Sequence, residues 1–244
     1  MKEIKAKGSK YMKKTISALL AAVMLTGTAY ASGFTDITGH WAENDINILA
    51  DKGIVNGVAD GVFDAEGTVT RVQYLKMVME SVGMETVQYR EGECLDAAAE
   101  DWYAPYLQSV LDKGLVPEAM VANYKSSVIV ERDDEGNAVS SSVTYSGQFN
   151  GNVPITREEA AYLAMSIAQY MMNPNTMKNL EGTSVPVFTD VMEISSWAYP
   201  SVNLAAICGV ITGMDTGSFR PQDTATRAQA AVIMNRLIKL MEAE

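Results

Sequence analysis

One pattern occurs twice in this chain, and its recurrence restricts the possible folds more than any other feature of the sequence. Residues 34–80 and 188–236 share a Phe-Thr-Asp opening, a Trp-Ala pair, a Gly-x-x-x-Gly-x-Phe segment and a Thr-Arg pair. In both copies the Trp and the Arg are 30 residues apart, at Trp41 and Arg71 and at Trp197 and Arg227. Self-similarity of this length is typical of repeat proteins, in which each repeat is one supersecondary unit.

A third copy, which is longer, lies between the first two. It contains Leu95-Asp96, the segment 101–104 with Trp102, the segment 113–116, and Thr156-Arg157-Glu158-Glu159. Trp102 and Arg157 are 55 residues apart, so about 25 extra residues lie inside this copy. We therefore divide the chain into repeats at 34–83, 94–172 and 188–240.

Each repeat predicts two helices joined by a loop. In the first helix of the first repeat, Ala42, Ile46 and Leu49 recur at helical spacing. The second helix begins in every repeat with Thr followed three residues later by Gln or Glu, which is the pattern of a capping box. The three caps are Thr70, Thr156 and Thr226. The sequence thus predicts an all-α fold of three helix-loop-helix repeats.

The second repeat has an insertion at 121–152 where the other repeats have the Gly-rich loop. Segments rich in β-forming residues flank Asp133-Asp134-Glu135-Gly136-Asn137, which predicts a β-hairpin with an acidic turn. This turn could bind Ca²⁺, but it lacks the ligand spacing of an EF-hand, so a solvated hairpin tip is the favoured interpretation.

Residues 1–31 are predicted to be a cleaved signal peptide. Lys13 and Lys14 precede an apolar run at 16–25, and Ala29-Tyr30-Ala31 places small residues at the expected cleavage site. The apolar run is shorter than the roughly 20 residues that span a membrane. The protein is therefore expected to be secreted, with no membrane insertion after cleavage.

The acidic composition excludes some classes of partner. The net charge is −11, and residues 1–31 hold six of the 19 basic and one of the 30 acidic residues, which leaves −16 for the rest. Nucleic-acid binding needs many cations to neutralise phosphates, so no nucleic-acid partner is expected. Of the two cysteines, Cys94 is interpreted as a buried apolar residue, and a disulfide with Cys208 is left open.

Taken together, these motifs resemble the S-layer homology (SLH) domain family, in its usual three copies behind a signal peptide. The resemblance implies a pseudo-threefold arrangement with one helix of each repeat in a central bundle. It also implies that grooves between repeats bind secondary cell-wall polysaccharide through a pyruvylated amino sugar. The expected location is the cell wall or S-layer of a Gram-positive-type bacterium, with no cofactor, no metal site and no enzymatic activity.

Nine residues are the candidate glycan contacts, and each type has a chemical reason. A guanidinium fork at a helix start can bind a ketal carboxylate in a bidentate way, and Trp offers a flat apolar face to a sugar ring. Aspartate can accept from sugar hydroxyls, although each Trp could instead be core and each Asp could instead fix a turn. The candidates are Arg71, Arg157, Arg227, Trp41, Trp102, Trp197, Asp36, Asp96 and Asp190. Because the second repeat lacks the Gly-rich loop, we expect the sites of Arg71 and Arg227 to be better formed than that of Arg157.

Two other classes of function compete with glycan binding. The chain could be a structural protein that binds other surface proteins through the inserted hairpin, with weak or no glycan binding. It could also be a glycoside hydrolase that uses two carboxylates. No pair of acidic residues lies in a recognisable catalytic frame and no nucleophile–His pair is evident, so the sequence favours a binding protein over an enzyme.

Overall fold

Three helix pairs follow one another along the chain. The computed structural model describes residues 33–172, 186–214 and 216–243. The pairs are α1 (Glu43–Asp51) with α2 (Arg71–Ser81), α3 (Ala104–Asp112) with α4 (Arg157–Met171), and α5 (Tyr199–Ile207) with α6 (Arg227–Glu242). The predicted, mostly helical fold is confirmed. The predicted signal segment lies outside the described residues.

A capping box begins the second helix of each pair, as the sequence predicts. The side chains of Thr70, Thr156 and Thr226 accept from the N–H group three residues later, at 3.3, 3.4 and 3.2 Å. In return, Gln73, Glu159 and Gln229 accept from the N–H group of the capping Thr. These reciprocal bonds fix the first turn of α2, α4 and α6, where the candidate arginines lie.

The predicted hairpin is present in the second repeat. Strands β1 (Ala122–Arg132) and β2 (Ala138–Gln148) pair antiparallel. At the tip, the carboxylate of Asp133 accepts from the N–H groups of Glu135 and Asn137, at 3.1 and 2.8 Å. The tip is therefore held by its own hydrogen bonds. In the described part of the chain, no cluster of three His, Cys, Asp or Glu side chains is arranged to hold a metal ion.

The core lies mainly among α2, α4 and α6, which contact one another pairwise. Fully buried side chains on these helices include Leu75, Met79, Leu163, Ile167, Met234 and Leu237. Burial of each such side chain stabilises the fold by roughly 1.5–3 kcal/mol. The hydroxyl of buried Tyr74 in α2 donates to the carbonyl of Ala160 in α4 at 3.0 Å, so this polar group is satisfied inside the core.

A closed ring of backbone hydrogen bonds joins the three repeats just before these helices. The N–H of Val69 donates to the carbonyl of Ala225, that of Ile155 to Val69, and that of Ala225 to Ile155, at 3.3, 3.0 and 2.9 Å. All three residues are fully buried. Each repeat is thus bonded to both of the others.

The cysteines do not form a disulfide, which answers the question that the sequence left open. Both are free, and the Cys94 side chain is buried as expected for an apolar residue. Burial raises the pKa of the Cys94 thiol to about 12, so the thiol stays protonated. Among the described residues, no helix has the length and apolar character to cross a membrane.

Candidate functional site

In each repeat, one aspartate holds the loop that leads to the second helix. Both carboxylate oxygens of Asp36 accept backbone N–H groups, those of Phe63 and Asp64, at 2.9 and 2.7 Å. The same pair of bonds occurs at Asp96 with Phe149 and Asn150, and at Asp190 with Phe219 and Arg220. The aspartates therefore fix a turn, which is the structural alternative that the sequence offered.

The residue after each Phe shows why the turn needs this support. Asp64, Asn150 and Arg220 have φ values of 60°, 53° and 57°, in the left-handed region that most residues avoid. Burial opposes ionisation of Asp36 and Asp190, but the backbone hydrogen bonds outweigh it and keep the pKa of both carboxyls below the usual value. The ionised carboxylates thus help to hold a strained backbone.

The second repeat retains part of the motif that the sequence reading found absent. Gly147-Gln148-Phe149 stands at the end of β2 and corresponds to Gly61-Val62-Phe63. Phe149 is fully buried, and Asp96 binds its N–H at 2.7 Å. The hairpin is therefore inserted within the loop and does not replace all of it. The Gly-x-Phe tripeptide is the signal that could have revealed this from the sequence.

Each candidate arginine reaches out of its own repeat to carbonyl groups of another. Arg227 donates from Nε to the carbonyl of Phe63 at 2.9 Å and from Nη2 to that of Asn56 at 2.8 Å. The guanidinium carbon lies 4.5 Å above the centre of the Phe63 ring, a cation–π contact. The third repeat is thus joined to the first.

Arg157 joins the second repeat to the third in the same way. Nε donates to the carbonyl of Phe219 at 2.7 Å, Nη2 donates to that of Thr212 at 3.3 Å, and the guanidinium lies over the Phe219 ring. Arg157 is only 5% exposed. Burial lowers the pKa of Arg157 and of Arg227 from the usual value, and among the described residues no carboxylate is in contact with either guanidinium.

Arg71 joins the first repeat to the second, but it has an additional partner. Nη1 donates to the carbonyls of Met120 and Phe149, at 3.1 and 2.7 Å. Nε and Nη2 form a bidentate ion pair with the carboxylate of Glu159. The sequence ranked Arg71 ahead of Arg157 as a ligand contact, yet Arg71 is the one of the three that is bound to an internal carboxylate.

The backbone N–H groups at these helix starts are not open to an anion. The N–H groups of Arg71, Arg157 and Arg227 donate to the carbonyls of Val153, Asp223 and Gly67, at 3.0, 2.9 and 2.8 Å. The next N–H in each helix is also bonded to a carbonyl of the neighbouring repeat. Any anion bound here must therefore be held by the guanidinium side chains.

Groove A is a cavity of about 750 Å³ to which all three repeats contribute. Its lining includes Trp41, Arg157, Thr212, Gln229 and Arg236. Trp41 is 63% exposed, so its ring is available to a ligand and is not part of the core. Groove A therefore combines an open aromatic face with a buried cation.

Groove B is a cavity of about 500 Å³ with the equivalent set of residues from different repeats. Its lining includes Trp102, Arg227, Asn56, Gln73 and Lys76. Trp102 is 52% exposed. Gln73 occupies the same motif position as Gln229 in groove A, so the two cavities are built alike.

Groove C is our name for the third such set, formed by Trp197, Arg71, Glu159 and Tyr162. The rings of Trp197 and Tyr162 are 5.5 Å apart, and Trp197 is half-buried where the other two candidate tryptophans are exposed. Glu159 takes the motif position that Gln holds in grooves A and B. Groove C therefore has a partly covered indole and a cation that is paired with a carboxylate of the protein itself.

Sequence reasoning missed two further cations of groove A. Arg220 and Arg236 line this cavity together with Arg157. In the first repeat, the residues at their motif positions are Asp64 and Glu80. No periodicity marks either arginine, and only alignment of the repeats shows basic residues where the first repeat has acidic ones.

Comparison with known proteins agrees with the repeat pattern. A model of the S-layer homology domain family matches residues 33–75 and 187–231, which are parts of the first and third repeats. An amylopullulanase of Thermoanaerobacterium thermosulfurigenes is 32% identical over 210 residues, which are 86% of this chain and 10% of the relative.

Of two further relatives, one is named as an exoglucanase and the other as an S-layer protein. Exoglucanase XynX of Acetivibrio thermocellus is 32% identical over 84% of this chain and 16% of its own length. S-layer protein EA1 of Bacillus anthracis is 23% identical over 93% of this chain and 23% of its own length. This chain thus spans between a tenth and a quarter of these curated relatives. The matched segment is thus a minor part of each of these relatives.

Proposed function

Because this chain belongs to the S-layer homology domain family, whose domains anchor proteins to the cell wall, we propose that it binds secondary wall polysaccharide in grooves A and B. The ligand group is a pyruvylated amino sugar, and binding holds the protein non-covalently at the cell surface after secretion. The supporting observation is the pairing, in each groove, of an exposed Trp with an arginine that contacts no carboxylate among the described residues; this arginine is buried in groove A and half-buried in groove B.

The arrangement of the repeats, as we propose it, is pseudo-threefold. Its support is the ring through Val69, Ile155 and Ala225, in which each residue donates to one neighbour and accepts from the other. The candidate arginines follow the same cyclic order, from first to second, second to third and third to first repeat. Under this arrangement the middle segment is a third repeat of the family, although the family model matches only the outer two.

The chemistry of the grooves suits a carboxylate attached to a sugar. A buried guanidinium whose partners are neutral carbonyls retains a net positive charge, which an incoming carboxylate neutralises. Arg can bind it through two parallel N–H groups. The exposed indole next to it can cover the apolar face of a sugar ring and donate to a hydroxyl. These contacts also give selectivity, because a sugar without the ketal offers no charge to the arginine.

The experiment that tests the proposal is co-sedimentation of the protein with purified wall sacculi. We expect binding to intact sacculi and loss of binding after mild acid has removed the pyruvate ketal. Trp41→Ala is a suitable variant because this side chain is exposed and its removal leaves the core intact. Arg132→Ala, on the hairpin outside both grooves, is the matched control. Full binding to acid-stripped sacculi contradicts the proposal.

A second candidate function is the binding of other surface proteins through the hairpin. Val128, Val130 and Val139 on its strands are 65%, 41% and 62% exposed, although β-branched residues usually pack against a neighbour. A two-stranded hairpin is only marginally stable alone in water, so a contact on these valines would stabilise it. Replacement of 123–147 by a short Gly-Ser loop should then remove a protein contact and leave wall binding unchanged.

A further inference from the structure

We propose that the protein keeps groove C empty of glycan with its own carboxylate, and that Glu159 and Tyr162 thereby limit the chain to two glycan sites. This inference rests on the proposed function, since it concerns which of the three arginines can meet a sugar carboxylate. It assigns a specificity-determining role to two residues outside the candidate contacts that the sequence suggested.

Glu159 occupies Arg71 as a bound ligand would. Its two carboxylate oxygens accept from Nε and Nη2 of Arg71. The two N–H groups of Nη1 donate to the carbonyls of Met120 and Phe149, so four of the five guanidinium N–H groups are bonded. The Arg71 and Glu159 side chains are only 14% and 9% exposed. A sugar carboxylate would have to displace Glu159 and leave that charge buried without a partner, which is strongly unfavourable.

Grooves A and B have a neutral residue where groove C has Glu159. Gln229 lines groove A with Arg157, and Gln73 lines groove B with Arg227. A glutamine amide accepts the N–H of the capping Thr as a carboxylate does, at 3.0 Å for Gln73. It cannot neutralise a guanidinium. Capping of the helix and charge are therefore separate properties of this residue. All three residues at this position cap the helix, and only Glu159 carries a charge.

Tyr162 adds a steric block to the electrostatic one. Its ring lies 5.5 Å from that of Trp197 at an interplanar angle of 59°, and Trp197 is half-buried, so less of this indole is open to a sugar ring than at Trp41 or Trp102. The residues at the same position in α2 and α6 are Lys76 and Val232. Both line their cavities and leave the neighbouring Trp exposed. Groove C thus differs from the other two grooves in the exposure of its Trp as well as in the partner of its Arg.

The test is the number of sites that titration calorimetry finds for a glycoside of the pyruvylated amino sugar. The whole chain is expected to bind two molecules. Glu159→Gln combined with Tyr162→Val, which gives groove C the residues of groove A, is expected to bind three. The reverse change Gln229→Glu places a carboxylate beside Arg157 and is expected to leave one site. Because Gln229→Glu adds an ion pair, it keeps the test decisive if the double variant fails to fold.

The outcomes separate this inference from the proposed function. Three sites in the natural chain, or two sites in either folded variant, overturn the role of Glu159 while glycan binding stands. A natural chain that binds none of the pyruvylated glycoside overturns the proposed function itself, and the inference with it. A change from two sites to three in one variant and to one in the other supports both.

Discussion

Grooves A and C are built from the same parts, yet one is open and the other is filled. Both combine a Trp, an Arg at a helix start and a capping residue three positions into a second helix. In groove A these are Trp41, Arg157 and Gln229, and in groove C they are Trp197, Arg71 and Glu159. The carboxylate of Glu159 pairs the cation of groove C, whereas the cation of groove A contacts no carboxylate among the described residues.

The comparison shows how folding and binding place different demands on one position. The cap needs only an oxygen that accepts the N–H of Thr, and Gln and Glu both supply it. Stability favours Glu there, because the buried arginine of the neighbouring repeat gains a partner. Binding of an external anion favours Gln, because the arginine keeps its charge for the ligand.

The largest expected difference between the two grooves is the effect of removing the arginine. Arg71→Ala leaves Glu159 buried and unpaired, so we expect the free energy of unfolding to fall by about 3 kcal/mol or more. Wall binding should stay within about twofold, because groove C holds no ligand in this account. Chemical denaturation and co-sedimentation with sacculi measure the two quantities.

Arg157→Ala should weaken wall binding far more than Arg71→Ala does. Loss of a charge-assisted hydrogen bond to the ligand weakens binding by roughly 10- to 100-fold. Arg157→Lys keeps the charge without the planar fork and should give an intermediate loss. Equal losses of binding for Arg71→Ala and Arg157→Ala would remove the distinction between the grooves.

Replacement of the tryptophans should also distinguish groove A from groove C, with smaller changes in stability and affinity than replacement of the arginines. Trp197 packs on Tyr162 and on the core, so Trp197→Ala should lower the free energy of unfolding by about 2 kcal/mol. Trp41→Ala should change stability by less than about 0.5 kcal/mol and reduce affinity for the pyruvylated glycoside several-fold. Thermal denaturation with calorimetry tests both, and a stability loss at Trp41 as large as that at Trp197 contradicts the assignment.

The capping threonines provide a test in which the three repeats should behave alike. Thr70→Ala, Thr156→Ala and Thr226→Ala each remove an equivalent cap, so each should lower the free energy of unfolding by about 1 kcal/mol. Urea denaturation measures the three values. If Thr156→Ala lowers the free energy of unfolding far more than the other two variants do, the cap at Glu159 is coupled to the Arg71 ion pair. Capping and charge at Glu159 would then not be independent properties.

The smallest expected effect is on the dependence of stability on pH. The pKa values of Asp36 and Asp190 are lower in the folded protein than in the unfolded chain. Their contribution is therefore complete above pH of about 4 and is lost as the pH falls through the folded pKa values. Asp36→Asn should flatten the loss of stability as the pH falls below about 4, as followed by circular dichroism. If the loss of stability at low pH is the same in Asp36→Asn as in the natural protein, the hydrogen bonds of Asp36 to the loop are not a source of the acid sensitivity.

Much of the fold could be predicted from the sequence because local signals repeat. The Thr caps, the helix pairs and the β-hairpin depend on residues that are close in the chain, and three copies made each signal stronger. The bounds of the hairpin were harder to place, because Phe149 at its end acts through Asp96, 53 residues away. Nothing local marks that contact apart from the Gly-x-Phe tripeptide.

The state of each groove could not be predicted, because each groove is assembled from residues of different repeats. Arg71 and Glu159 are 88 positions apart, and the sequence treated Glu159 only as a cap. The ranking of the arginines therefore followed the missing Gly-rich loop and not the charge beside each guanidinium. The aspartates were also ambiguous, since a carboxylate that binds two backbone N–H groups looks the same in sequence as one that binds a sugar.

A crystal structure of the protein with a bound glycoside of the pyruvylated amino sugar would show which grooves hold the ligand. We expect the sugar in grooves A and B, with its ketal carboxylate on the guanidinium groups of Arg157 and Arg227 and its ring against Trp41 and Trp102. Groove C should keep the Arg71–Glu159 ion pair. A ligand bound at Arg71 with Glu159 displaced, or bound away from all three arginines, would contradict the account.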